Sequence, residues 1–265
     1  SVVASAFRMS INQHMILELD VGNSRIKWRL LAAEGLAVTG AGHVSGLEDL
    51  QRVTELETAI TMARMCSVRG GDVNKQLADW VRGKYGVELV LAVVTQSCGG
   101  VTNQYADVSR LGIDRWLAML AAFKRVGGAC VVVDAGTAFT IDLLDAQGLH
   151  LGGYILPGLS LMGSSLESTT GIRLTPGFTG RPEVTGHSTD QAVSNGSLSA
   201  LLALISQLMR AESSEQLGAR LLFTGGDAEL FHVHAAIKGS EIIPSLVLDG
   251  LDVACPHPDS DLGRN

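Results

Sequence analysis

Ile16-Leu17-Glu18-Leu19-Asp20-Val21-Gly22-Asn23-Ser24 is an apolar run that ends in an aspartate and passes into a glycine turn. A near copy follows later in the chain, Val131-Val132-Val133-Asp134-Ala135-Gly136-Thr137-Ala138. Each copy leads into a second strand-like run, over residues 26–31 and 139–144. The two aspartates stand 114 residues apart, about the length of a small domain, so the spacing predicts two similar halves. Glycine lets the backbone approach a ligand closely, and the amides and hydroxyls of such a turn can cradle phosphate oxygens. An aspartate at a strand end can hold a hard cation, directly or through water. One Asp-Gly turn between strands is most often a plain hairpin connection. Two in the same context predict a pair of turns gripping a polyphosphate, with Asp20 and Asp134 facing across one cleft.

The 265 residues suffice for one large or two modest domains. Hydrophobic residues make up 46% and charged residues 18%, the composition of a folded globular chain. A net charge of −7 with no basic run argues against a general nucleic-acid binder, while a metal ion and a few local cations can still serve a polyanionic ligand. Mean hydropathy is positive, yet no stretch reaches the roughly 18 apolar residues of a membrane span. Residues 198–209, broken by Ser199, Ser206 and Gln207, read as a buried helix, and no membrane association is expected. Cys66, Cys98, Cys130 and Cys255 lack metal-ligand spacing. Cys66 and Cys130 lie in apolar runs, which predicts reduced core thiols and a cytoplasmic protein. The seven histidines show no ligand pairing, and neither a Walker loop nor a Gly-x-Ser-x-Gly elbow is present. Met15 opens the first strand; residues 1–14 read as an N-terminal extension and make a poor secretory signal.

Strands are expected over residues 15–20, 26–31 and 36–39, then a looser stretch with some helix over 40–56, and a strand over 63–68. Helical spacing of Leu77, Trp80 and Val81 predicts a helix over 74–84 stopped by Gly86, then a strand over 88–94. Residues 95–112 are polar and read as a long loop of the functional kind. A helix over 114–126 would bury Trp116, Leu117, Leu120, Ala121 and Phe123. The second half repeats the pattern with strands over 130–134, 139–144 and 149–155. Residues 157–185 give no clear assignment; a helix over 188–210 is expected to break near Asn195-Gly196, followed by a strand over 221–223 and a helix over 246–254. The order suggests two α/β domains, 15–114 and 115–256, around a cleft, with 257–265 as a tail.

The ordered set Asp20-x-Gly22-Asn23-Ser24, Gly112-x-Asp114-Arg115, Asp134-x-Gly136-Thr137-Ala138, Gly152-Gly153-Tyr154-Ile155 with Pro157-Gly158, Gly186-x-Ser188-Thr189 and Gly225-Gly226-Asp227 resembles the type III pantothenate kinases. The resemblance runs from Met15 to about Pro256. It implies an α/β, actin-like ATPase fold of the sugar-kinase-like kind, with two ribonuclease-H-like domains around a nucleotide cleft. The implied activity is ATP-dependent phosphorylation of pantothenate to 4'-phosphopantothenate, the first step of coenzyme A biosynthesis. By motif, Asp20, Val21, Gly22, Asn23, Ser24, Arg25, Ile26 and Lys27 would form the first phosphate loop, with Asp20 near magnesium, directly or through water. Thr137, Gly225, Gly226 and Asp227 would contact ATP, and Asp134 would hold a monovalent cation, potassium or ammonium. Tyr105, Gly112, Ile113, Asp114, Arg115 and Thr189 would bind pantothenate, with Asp114 as general base, in a pocket at a homodimer interface. One segment departs: Thr170 to Pro176 only approximates the family's Thr-x-x-Leu-Pro pattern and is left out of the site.

A primary alcohol attacking ATP gains from a carboxylate that accepts its proton. Asp114 suits that role, and Arg115 could steady the carboxylate of an acidic substrate. Pattern alone reads these residues otherwise. Asp114 precedes an amphipathic run and would be an N-cap. Lys27 alternates with Arg25 and Arg29 as on a solvated strand face, and Tyr105 would anchor a loop through backbone. The alternatives are another small-molecule kinase or phosphohydrolase of the superfamily, and an ATP-binding transcription accessory factor of the same family. Retention of Asp114, Arg115 and Tyr105 favours catalysis.

Overall fold

The repeat in the sequence is a repeat of sheets. A computed structural model describes residues 14–34, 36–54, 59–177, 180–210 and 218–257. Strand β1 (Met15–Val21) pairs antiparallel with β2 (Ile26–Ala32), and β2 with β3 (Val38–Val44). On its other side β1 runs parallel to β4 (Ile60–Ser67), and β4 to β5 (Leu89–Leu91). The second sheet repeats every one of these relations. Strand β8 (Cys130–Ala135) pairs antiparallel with β9 (Ala138–Leu144), and β9 with β10 (His150–Pro157). It runs parallel to β11 (Arg220–Thr224), which is parallel to β12 (Glu241–Ile242). The orders β3-β2-β1-β4-β5 and β10-β9-β8-β11-β12 are therefore one topology used twice. Asp20 and Asp134 are each the penultimate residue of the central strand.

Alternation along β1 sends Met15, Leu17, Leu19 and Val21 into a core with Leu30, with Leu50 of α1 (Leu47–Val53), and with Leu77 and Val81 of α2 (Gly71–Tyr85). Gly86, in the left-handed region at φ 71°, closes α2 and returns its amide to Arg82. The opposite face of β1 is also buried, and it carries charge. Glu18 is fully buried between Arg29 and Arg64, its register partners on β2 and β4. Arg29 Nε and Arg64 Nε and Nη2 donate to its two carboxylate oxygens, and Arg64 Nη1 donates to the Cys255 carbonyl at 2.6 Å. The face read from alternation as solvated is thus a sealed ion network at Arg29. Lys27, two residues away, stays partly exposed.

In the second unit Val131, Val133, Phe139, Ile141, Leu221 and Phe223 pack on α5 (Thr189–Arg210) and on Phe231 of α6 (Ala228–Ala235). Helix α5 runs unbroken. Asn195 stays helical because its side chain is buried and satisfied, accepting from the Arg181 amide at 2.7 Å and donating to the Val184 carbonyl at 2.8 Å. By length and composition α5 is apolar enough to cross a membrane, but Leu198, Leu201, Leu202 and Ile205 lie in the core. Only 28% of its most apolar window is buried, so one stripe of the helix is inside rather than the whole of it.

Several stretches are more ordered than the sequence suggests. Residues 95–112 contain a hairpin, β6 (Ser97–Cys98) with β7 (Val101–Thr102), and a 3-10 turn at Val108–Arg110. The unassigned stretch contains α4 (Leu159–Thr170). Helix α3 (Ile113–Val126) buries Arg115 to Ala122 without a break, so its middle turns are sealed all round, while Phe123, expected inside, is half-buried. Helix α7 (Leu246–Ala254) is found as expected. Cys66 and Cys130 are buried free thiols. Contacts group the chain to Val94, Gly112–Asp114 and the residues from Leu251 into one unit, and Thr95–Leu111 with Arg115–Gly250 into the other. The expected extension before His14 and the tail after His257 lie outside the described residues.

Candidate active site

In the first unit the turn after β1 is closed by the Gly22 amide donating to the Arg25 carbonyl at 3.0 Å. Asn23, Ser24 and Arg25 are exposed. Asp20 lies opposite Lys27 on β2 and Cys66 on β4. Lys27 Nζ stands 3.5 Å from Asp20 Oδ2, and the Cys66 thiol donates to Oδ1 at 3.5 Å. Burial pushes the Asp20 carboxyl above its usual value; Lys27 and the thiol pull it down, and the charge of Asp114 pushes it up again. Burial likewise holds the Cys66 thiol well above the ordinary range, with Asp20 and Asp114 adding to the effect. Asp114 therefore sits within electrostatic reach of Asp20. Helix α3 begins at Ile113, so Asp114 lies inside its first turn rather than at the cap, where a negative charge is favoured by the helix dipole.

In the second unit the corresponding turn is closed by the Gly136 amide donating to the Ala138 carbonyl at 3.2 Å. It is ringed by residues that cannot carry a side chain. A β-carbon at Gly158 would overlap the Gly136 carbonyl, and one at Gly225 would overlap the Asp134 carboxylate. The Asp227 amide donates to the Ala135 carbonyl at 2.9 Å, fixing the Gly225-Gly226-Asp227 segment beside the turn. Burial raises the Asp227 carboxyl. Asp134 is flanked in register by Thr140 and Thr224, and the Thr224 hydroxyl is buried with no hydrogen-bond partner.

The same unit builds a second polar cluster. Gln96 Nε2 donates to the Asn103 carbonyl at 2.6 Å, and Asn103 Oδ1 accepts from the Tyr105 amide at 2.9 Å. These bonds pin the segment after the hairpin and present Tyr105. Its hydroxyl is held by Arg115 Nη1 at 2.9 Å, not by backbone. Arg115 is itself buried and paired bidentately with Asp142, Nε at 2.8 Å and Nη2 at 2.6 Å. Burial works against the Arg115 charge, yet Asp142 and then Tyr105 outweigh it and raise its pKa. The guanidinium imagined from sequence as a clamp for a substrate carboxylate already has an internal one. Thr189 stands exposed at the first residue of α5.

The structure thus gathers Asp20, Lys27 and Asp114 in the first unit. In the second it gathers Asp134 with the Gly225-Gly226-Asp227 segment, and separately Tyr105 with Arg115. Sequence reading missed Cys66, Thr224, Asp142 and His150. The one available signal was Asp142, a charge inside the apolar run Phe139 to Leu144.

The family model described as type III pantothenate kinase matches residues 16–211. A protein of that name from Ectopseudomonas mendocina (strain ymp) is 41% identical over 248 residues, covering 91% of this chain and 99% of the relative. One from Pseudomonas aeruginosa (strain LESB58) is 40% identical over 251 residues with the same coverage. Among solved structures, a conserved Baf-family transcriptional activator from Campylobacter jejuni aligns at TM-score 0.57 and 21% identity, over 89% of this chain and 95% of that one. A protein from Sinorhizobium meliloti described as a 2-dehydro-3-deoxygalactonokinase aligns at 0.54 and 12% identity, over 90% and 97%. At these identities the likeness concerns fold alone, the actin-like, sugar-kinase-like architecture with its duplicated sheet.

Proposed function

The chain belongs to the type III pantothenate kinase family, and from that premise we propose how its own residues phosphorylate pantothenate with ATP, the opening step of coenzyme A biosynthesis. Phosphoryl transfer needs positioning and charge neutralisation more than covalent help. The Asp20–Lys27 turn and Thr137 with Gly225-Gly226-Asp227 hold ATP through backbone amides and hydroxyls. Tyr105, Gly112, Ile113, Asp114 and Arg115 receive pantothenate. The primary hydroxyl oxygen of pantothenate bonds to the γ-phosphorus, the bond to the β-phosphate oxygen breaks, ADP leaves, and the hydroxyl proton passes to the Asp114 carboxylate. What supports this reading is that Asp114, in the first turn of α3, belongs to the same unit as Asp20, and its charge acts on the Asp20 carboxyl.

Asp20 fits magnesium as a single hard carboxylate. Among the described residues no cluster of three or more His, Cys, Asp or Glu side chains could hold a metal, and Mg²⁺ is commonly bound by one or two carboxylates completed by water and phosphate oxygens. Such an ion would offset the repulsion that Asp114 exerts on Asp20 and the charge of the transferring phosphate. Asp134 with the orphaned Thr224 hydroxyl fits a monovalent cation, potassium or ammonium, since a buried hydroxyl without a partner is costly. We place the enzyme in the cytoplasm, supported by its buried free thiols Cys66 and Cys130. We also assign it a homodimer in which Thr189 reaches the pantothenate pocket.

The test is ADP release measured with pantothenate and with a panel of other vitamins and sugars, in buffers containing K⁺ or only Na⁺. Turnover confined to pantothenate and requiring K⁺ or NH₄⁺ is expected. Turnover on a sugar but not pantothenate contradicts the substrate, and full activity in Na⁺ alone contradicts the cation at Asp134.

A further inference from the structure

Asp142 and His150 have no role in the reaction as described above, yet they are 2% and 0% exposed. Asp142 takes both Arg115 bonds, and its Oδ1 also lies 2.8 Å from His150 Nε2. The His150 ring lies nearly parallel to that of Tyr105, with centroids 5.8 Å apart and 13° between planes. One carboxylate therefore fixes both supports of the Tyr105 phenol: the ring through His150, the oxygen through Arg115. The strands are built around this pair. Gly153 faces Asp142 across the β9–β10 ladder, and a β-carbon there would come within 2.6 Å of Asp142 Oδ1 and 2.7 Å of Arg115 Nη2.

The direction of the hydrogen bonds gives the arrangement its chemistry. Arg115 can only donate, so the Tyr105 oxygen accepts from it and the phenol keeps its own hydrogen to donate elsewhere. His150 Nδ1 is buried with no partner. The ring hydrogen therefore belongs on Nε2, facing Asp142, because an ionised carboxylate can only accept. We propose that Asp142 and His150 are positioning residues that aim the Tyr105 hydroxyl as a donor to an acceptor oxygen of pantothenate, so that Arg115 acts on the substrate through Tyr105. The proposal rests on the assignment of Tyr105 to the pantothenate pocket.

The experiment compares Tyr105→Phe, His150→Phe, His150→Gln and the double variant Tyr105→Phe/His150→Phe by steady-state kinetics. His150→Phe keeps a ring beneath Tyr105 and removes the donor to Asp142; glutamine restores an N–H of similar reach. His150→Phe is expected to raise KM for pantothenate roughly three- to tenfold, the worth of one hydrogen bond. KM for ATP and kcat should stay within about twofold, since the supports touch neither ATP nor the reacting atoms. His150→Gln should recover most of the loss, and the double variant should be no worse than Tyr105→Phe alone, because both remove the same interaction. Equal rises in both KM values, a fall in kcat alone, or additive losses overturn the proposal. If Tyr105→Phe raises KM for pantothenate and His150→Phe does not, the positioning role fails while the pocket stands. If Tyr105→Phe itself leaves that KM unchanged, the pocket assignment fails first. Should His150→Phe not fold, Asp142→Asn has the same shape without the charge and must show the same selective rise in KM; an unchanged value overturns the proposal.

Discussion

Asp20 carries an electrostatic imbalance. Its carboxyl is buried beside a partly exposed lysine and within reach of a second carboxylate, and its pKa lies above the usual value for those reasons. A carboxyl whose folded pKa exceeds its unfolded value binds its proton more tightly in the native state. Stability therefore rises as pH falls through the folded pKa toward the unfolded one, and the ionised group costs stability above that window. Asp20→Asn, which nearly preserves shape, is expected to melt higher than the parent at neutral pH without nucleotide or metal. The gap should close as the pH is lowered, because the parent then becomes protonated. Thermal melts across pH check this; a variant less stable than the parent at neutral pH would show that the Lys27 pair outweighs burial. At this scale the two strand-end aspartates were legible because local pattern alone announces them. Asp142 and His150 were not, since their meaning comes from strand register and from Arg115, 27 residues away from Asp142 along the chain.

At the scale of elements, β1, β8 and the closing helix Leu246–Ala254 could be read directly, because each is a strongly apolar run, the two strands ending in an aspartate and a glycine turn. Helix α4 could not. Its Gly163 and its serines and threonines are weak helix formers, and it buries no residue fully. The break expected in α5 failed for a tertiary reason, the capture of Asn195 by Arg181 and Val184. The other side of α5 exposes Ala192, Gly196, Ala200 and Ala203, small residues that let a second helix approach closely. If this face is the two-fold contact of the proposed homodimer, Ala200→Arg should convert dimer to monomer in light scattering. Pantothenate turnover should then fall, since Thr189 would no longer be supplied. A variant that remains dimeric removes α5 from the interface, and a fully active parent monomer removes the dimer from the account.

For the whole molecule, the duplicated sheet explains why one sequence phrase occurs twice. Each central strand delivers an aspartate to the mouth of a glycine turn, and divergence after the turn gives the halves different partners. Asp20 gains Lys27 and Asp114, while Asp134 gains Thr140, Thr224 and the Gly225 segment. In the proposed mechanism the activity rests on Asp114 accepting the proton beside the first of these turns. Asp114 lies within the first turn of α3 and does not cap it, and asparagine keeps its shape, so Asp114→Asn should melt close to the parent and still bind ATP. Loss of a general base typically lowers rate by roughly 10²–10⁴-fold. The decisive measurement is kcat of Asp114→Asn with saturating ATP and pantothenate, beside its melting temperature and ATP affinity. A collapse in kcat with the other two preserved is the predicted result; phosphorylation of pantothenate within a few-fold of the parent would contradict it.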